Sequence, residues 1–329
     1  MPMIRDSSHR CLIYALMIIA LTCPSARAID NMRVAHPSVS ASVLCLMIAN
    51  KEGYFKEEGI NVEFLSIRGE IAIRTTLAGE IDFFTNAGSA LAAVARNVPV
   101  KIIAVFQDKP GWDLIALPNI KSIAQLRGQT IAIMSPEGSL AVVTREILRR
   151  NGLDPNKDAQ LVVMGGDDVR LPALRAKAIQ ATLFNTTASL RAQKDGFVKL
   201  TSAGEYVNTI QGGLATSEEK IKTQPAKIAR FMRASMKGLG FFLAKRDAAI
   251  KYSMDILKLK DRDMAAAIYD EEVRLTVRDG TSKPKILQPM IDEMKAAVMT
   301  QRDMKIADVF DFSFVRKANE ELKASGWKP

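Results

Sequence analysis

Two hydrophobic periods alternate along this chain, and glycines mark many of the points where one gives way to the other. Residues 50–63 show this most fully. An apolar run at 43–49 has the density of a buried helix and leads to Gly53. A short amphipathic turn then ends at Gly59, and Ile60-Asn61-Val62-Glu63-Phe64 alternates like a strand with one buried face. A glycine after each helical run supplies the left-handed backbone that closes a helix without a Cβ clash. Leu77-Ala78-Gly79-Glu80-Ile81-Asp82-Phe83-Phe84 repeats the signal as helix, stop and strand.

The alternation continues in both directions. A strand at 32–35 leads into a Ser-rich turn at 36–42. A helix at 68–78, a strand at 81–84, a small-residue helix at 90–95 and a β-branched buried strand at 100–106 follow. A second series begins near Pro118: a short helix at 123–128, a strand at 130–134, a helix at 140–151, a strand at 161–164, a helix at 172–178 and a strand at 179–184. Offset by 98 residues, Ile179 stands where Ile81 stands, but Lys177 and Gln180 replace Gly79 and Asp82. A strand at 211–215 reads as the return to the first series. Beyond it the chain is helical, with Pro225 opening 226–243, then 247–257, 261–277 and 285–300. Met232, Met236, Met254, Met264, Met290, Met294 and Met304 read as core filler or interface. Helices alternating with strands predict an α/β fold of mostly parallel sheets with helices on both faces.

The quoted motifs carry a resemblance. The run from Ala49 to Glu63, followed by Leu77-Ala78-Gly79-Glu80-Ile81-Asp82-Phe83, resembles the periplasmic substrate-binding proteins of ABC importers. The subgroup is the SsuA/THI5-like or NMT1 family, for nitrate, sulfonates, taurine and pyrimidine thiamin precursors. The resemblance spans about residues 32–257. It implies a two-lobed, type II periplasmic-binding-protein-like fold, a small-molecule ligand and an ABC permease partner in the inner membrane. The expected division is 29–117 with 214–329 for the first lobe and 118–213 for the second, with crossings near 117–121 and 212–215. The family usually carries Gly and Asp in the second lobe too, where this chain has Lys177 and Gln180.

Composition narrows the setting. Arg5 and Arg10, an apolar stretch at 11–21 and Ala26-Arg27-Ala28 form a secretory signal peptide, expected to be cleaved after Ala28 and to place the protein in the periplasm. The apolar stretch is too short for a comfortable span. The rival, a lipid anchor on Cys23, is weakened by the poor lipobox Ala20-Leu21-Thr22 and by Pro24. Loss of Arg5, Arg10 and Arg27 together with Asp6 lowers the formal charge from +10 to +8. That surplus is dispersed among acidic residues, without a basic run or neighbouring aromatics, so it reads as a solvated surface and no nucleic acid partner is expected. Cys45 alone remains, so stability must come from the core.

Chemistry is sparse. Past residue 28 the chain holds one histidine, His36, and one cysteine, Cys45, with no catalytic triad, metal cluster or Walker loop. No enzyme activity, cofactor or metal is expected. The fungal pyrimidine synthase of the family relies on a Cys-rich motif and histidines that this chain lacks. Cys45 reads as a core residue, His36 as a cleft or turn-capping residue, and Asp167-Asp168 as helix caps.

Binding is the stronger reading. Open α/β sheets bind ligands beyond the carboxyl ends of their strands, where helix N-termini offer amides. Four turns qualify: Pro37, Ser38 and Ser40; Asn86, Gly88 and Ser89; Gln107, Asp108 and Trp112; and Ser135, Glu137, Gly138 and Ser139. Asn185 is a fifth candidate, and Trp112 is placed in a loop where it stacks on a ligand or packs the hinge. The expected ligand is a small anionic organic solute, provided that Glu137 faces away from it. A monomeric solute-binding protein is expected, with a sensor of the same fold and a pyrimidine-forming enzyme as alternatives.

Overall fold

A computed structural model describes residues 29–329 except Ser38, Ser40, Glu137, Asn208 and Thr209. The expected signal peptide, Cys23, and the candidates Ser38, Ser40 and Glu137 lie outside the described residues.

Strands β1 (Asp30–His36), β2 (Ile60–Ser66), β3 (Phe83–Phe84), β4 (Val100–Gln107), β5 (Trp112–Ala116), β6 (Thr130–Ile133), β7 (Gln160–Val163), β8 (Ala181–Asn185), β9 (Val198–Ser202) and β10 (Gly212–Ser217) form two five-stranded sheets. Their orders are β2-β1-β3-β10-β4 and β7-β6-β8-β5-β9. Each has four parallel strands and one antiparallel strand in the fourth place, β10 in the first and β5 in the second. The antiparallel strand is in both cases the one that arrives from the other sheet.

Helices α1 (Leu44–Lys51), α2 (Tyr54–Glu57), α3 (Gly69–Leu77) and α4 (Ala87–Ala95) connect the first sheet, and α5 (Ser139–Arg150), α6 (Asp167–Arg175) and α7 (Thr186–Lys194) the second. After β10 come α8 (Glu218–Thr223), α9 (Pro225–Ala244), α10 (Arg246–Ile256), α11 (Arg262–Leu275), α12 (Pro284–Ala297), α13 (Ile306–Val309) and α14 (Ser313–Ala324). Gly53 and Gly59 have φ of +81° and +68°, as their positions predict. Pro225 opens α9, where a missing N–H breaks no helical bond.

Two separate cores hold the molecule. In the first, Phe231 of α9 stacks on Phe83 at 4.2 Å between ring centroids and meets Phe55 at 4.7 Å. Met232, Met236, Met290, Met294 and Met304 are buried here as filler, and Cys45 lies in the same core. The second joins Leu114, Ile131, Ile147, Leu174, Leu183 and Phe184.

Three expectations need correction. The chain leaves the first sheet before residue 112, because Trp112–Ala116 finds ladder partners on both sides in the second sheet, β8 and β9. Trp112 is therefore the first residue of a strand, opposite Asn185, and not part of a loop. The helix expected at 172–178 starts five residues earlier, at Asp167, and carries Pro172 inside it.

Candidate functional site

The carboxyl ends of β2, β3, β6, β7 and β8 all feed helices whose N-termini face the gap between the lobes. There they line a cavity of about 360 Å³. Gly69 and Glu70 begin α3, Ala87 to Ser89 begin α4, Ser139 and Leu140 begin α5, Asp167 begins α6, and Asn185 caps α7. Asn185 Oδ1 accepts from the Ala188 amide at 2.9 Å. The capping positions of α3, α4, α5 and α6, held by Arg68, Asn86, Gly138 and Gly166, show no side-chain cap. Their first-turn amides are left to other acceptors, and each N-terminus carries about half a positive charge. Asn86 Oδ1 is buried and without a hydrogen-bond partner among the described residues.

Across the cleft, the helix ends of the two lobes come close at Gly88 and Ser139. A Cβ on Gly88 of α4 would overlap the Ser139 hydroxyl and stand 3.1 Å from the Ser139 Cβ. Glycine at 88 is what lets these two helix ends approach face to face.

Charge on the wall is divided. Arg170, almost fully buried, donates to Thr182 Oγ1 at 2.9 Å, to the Leu183 carbonyl at 2.8 Å and to Asp167. Burial pushes the Asp167 carboxyl above its usual range, against the lowering effect of the Arg170 charge. Arg68 and Glu70 are exposed, and Trp112, Met134, Ile71, Val163 and Ile210 supply apolar surface.

Of the residues expected from sequence, Pro37, Asn86, Gly88, Ser89, Trp112, Ser135, Gly138, Ser139 and Asn185 line this cavity. Gln107 and Asp108 do not. Gln107 is buried at the junction of the lobes, where its side-chain amide donates to Glu272 and its backbone carbonyl accepts from the Gln211 backbone amide at 3.1 Å. Asp108 accepts from the Ser282 hydroxyl at 2.7 Å. His36 is buried near the end of β1 and is not among the described lining residues. Sequence reasoning passed over Arg68, Glu70, Ile71, Val163 and Arg170. The strand-end rule applied to β2 and β7 finds most of them, since Arg68-Gly69 and Gly165-Gly166 stand at those ends.

Comparison with known proteins agrees with this architecture. The riboflavin-binding protein RibY of Chloroflexus aurantiacus is 27% identical over 219 residues, 64% of this chain and 61% of that protein. A 4-amino-5-hydroxymethyl-2-methylpyrimidine phosphate synthase of Aspergillus parasiticus is 21% identical over 252 residues, 71% of this chain and 72% of the synthase. Among solved structures, a protein from Bordetella bronchiseptica superposes with a TM-score of 0.78 at 19% identity, covering 89% of this chain and 98% of that one. The alkanesulfonate-binding protein SsuA from Xanthomonas axonopodis pv. citri, bound to MOPS, gives a TM-score of 0.68 at 15% identity, covering 89% of this chain and 99% of SsuA. The fold is thus that of periplasmic binding proteins. The profile described as NMT1/THI5 like matches residues 40–249, and the chain belongs to that family.

Proposed function

We propose that this protein captures a small anionic organic solute in the interlobe cleft and delivers it to an ABC permease in the inner membrane. The observation that carries the reading is the cavity itself: about 360 Å³ between two separately cored lobes, with uncapped helix N-termini on both sides. The first lobe comprises β1–β4, β10 and the C-terminal helices, and the second β5–β9. Two crossings join them, one between Gln107 and Trp112 and one between Ser202 and Gly212. The solute binds both lobes and stabilises the closed arrangement by its differential affinity. Export through residues 1–28 and a monomeric state in the periplasm complete the proposal.

Cys45 supports binding over catalysis. It is buried, and burial pushes its thiol up to about 12, so it is not a thiolate nucleophile at neutral pH. Among the described residues no group of His, Cys, Asp and Glu side chains is placed to hold a metal.

A thermal-shift screen across sulfonates, carboxylates, nitrate and pyrimidines tests the reading. A true ligand at a hundred times its Kd stabilises by about 2.7 kcal/mol, a shift on the order of 5 °C. The hit is expected to compact the molecule in small-angle scattering and to bind at least ten times more weakly to Ser139→Asp (about 1.4 kcal/mol). A hit that is cationic, or that binds Ser139→Asp undiminished, rules out the anion; the absence of any hit that compacts the molecule rules out capture.

A further inference from the structure

We infer that the solute is a monoanion with a ring-sized apolar body, and that Arg68 reads its charge; this rests on the cleft being the solute site. Arg68 directly precedes α3, where its backbone carbonyl accepts from the Ala72 amide at 2.8 Å, and its side chain makes no hydrogen bond or ion pair among the described residues. Its guanidinium lies 3.1 Å from where a Cβ on Gly165 would stand, so the side chain reaches from the first lobe to the second across the cleft. The other wall cation, Arg170, spends both terminal nitrogens on Asp167, Thr182 and Leu183, and only its buried Nε lacks a partner among the described residues. Arg68 is therefore the wall cation whose whole guanidinium, with its terminal nitrogens, is open to a solute, a fork that fits a carboxylate or sulfonate.

The same two segments carry the apolar signal. Ile71 follows Arg68 by three residues, on the same side of α3, and is 55% exposed; Val163 precedes Gly165 by two and is 54% exposed. Both stand on the cavity wall with Trp112 and Met134. Two branched side chains left open inside a cleft gain free energy when an apolar body covers them. The cavity volume of about 360 Å³ is roughly tenfold the ~30 Å³ share of one water. A nitrate or a two-carbon acid would leave most of it as water against apolar walls. Glu70, also on the wall, repels a second negative charge and restricts the solute to one.

Calorimetry with six probes tests this: benzoate, benzenesulfonate, acetate, methanesulfonate, nitrate and neutral benzamide. The ring acids are expected to bind at least about tenfold more tightly than acetate, methanesulfonate, nitrate or benzamide. Arg68→Met, which keeps the apolar stem, is expected to abolish the preference for benzoate over benzamide. Ile71→Ser is expected to narrow the preference for benzoate over acetate, and Glu70→Gln to tighten both ring acids. Nitrate or acetate binding as well as the ring acids, an unchanged benzoate-to-benzamide ratio in Arg68→Met, or silence from all six probes overturns the inference. Benzamide binding as tightly as benzoate, with compaction in solution, overturns it while leaving solute capture intact.

Discussion

Where α3 runs into β3 in the first lobe and α6 into β8 in the second, the chain makes one device from two sets of residues. In the first lobe, Gly79 at φ +80° ends the helix, with Glu80 N–H bonded to the Thr75 carbonyl at 3.0 Å and Gly79 N–H to the Thr76 carbonyl at 3.1 Å. In the second, Lys177 takes φ +59°, Ala178 N–H bonds to Ala173 at 2.9 Å and Lys177 N–H to Leu174 at 3.0 Å. Both are the same six-to-one, five-to-two closure. Three residues after each stop, a side chain accepts from the edge of the neighbouring strand: Asp82 Oδ2 from the Arg33 amide at 2.7 Å, Gln180 Oε1 from the Thr130 amide at 3.1 Å. The position requires an acceptor, and charge is a local addition. Asp82 also binds the Lys220 ammonium of α8, an element with no counterpart in the second lobe. Gln180 instead turns its Nε2 back to the Lys177 carbonyl at 3.2 Å.

The largest effect that separates the two sites is the loss of each acceptor. Asp82→Ala strands Lys220, which is 8% exposed, so a loss of about 3 kcal/mol is expected in urea unfolding. Gln180→Ala removes a neutral, partly exposed pair and is expected to cost about 1 kcal/mol. Equal losses would mean that the Lys220 pairing contributes nothing.

Next comes the junction of the lobes, where Glu272 of α11 is buried against Gln107 and near Thr186, the first residue of α7. Burial raises the Glu272 carboxyl to about 7, against the lowering influence of the Thr186 and Gln107 side chains. An unfolded chain releases this proton near 4.5, so between pH 4.5 and 7 the native state holds more protons than the unfolded one. Stability therefore falls as pH rises through that window and levels off above it. The loss amounts to at most about 3 kcal/mol. Glu272→Gln is expected to lack this component, so the stability difference between the two proteins grows from pH 4.5 to 7. Parallel stability curves would contradict a native carboxyl that titrates near 7.

How far the molecule is legible from its residues follows from the same places. Gly53, Gly59 and Gly79 announce helix ends because the left-handed region favours glycine, and the strands after them announce themselves by alternation. Lys177 breaks the glycine signal without breaking the structure, because the surrounding helix and strand hold it there at a modest strain. Trp112 to Ala116 does not announce itself as a strand, because it is short and its sheet is set by partners some sixty-five to ninety residues away, which no local pattern encodes. For the cleft, Ser- and Asn-bearing turns point to the right strand ends. Arg68, Ile71 and Val163 look like ordinary surface and strand residues until the lobes face each other. Gln107 and Asp108 sit at a strand end too, but there their side chains bond to Glu272 and Ser282 and do not line the cavity.

The contact between the lobes gives a smaller effect. Gly88→Ala places a Cβ against Ser139 and is expected to hold α4 and α5 apart. Affinity for the hit from the solute screen should fall about tenfold, about 1.4 kcal/mol, with unfolding stability unchanged. Adding Ser139→Gly should restore it. A Gly88→Ala protein that binds normally would show that closure does not bring these helix ends together.

The smallest effect returns to the two helix stops and asks whether they are equivalent in energy as well as geometry. A side chain in the left-handed region costs about 1 kcal/mol relative to glycine, while glycine gives back about 0.4–1 kcal/mol through the greater freedom of the unfolded chain. A Cβ on Gly79 would touch nothing within 4 Å, so Gly79→Ala changes backbone strain and little else. It is expected to destabilise by about 0.5 kcal/mol. Lys177→Gly makes the reverse exchange and is expected to stabilise by about 0.5 kcal/mol or less, because the entropy of the new glycine offsets most of the relieved strain. Urea unfolding of both variants and of the double mutant settles the matter, since the sites lie in different lobes and their effects should add. Should Lys177→Gly instead destabilise the protein, its backbone would not be strained at all, and the two stops would share a shape but not an energy.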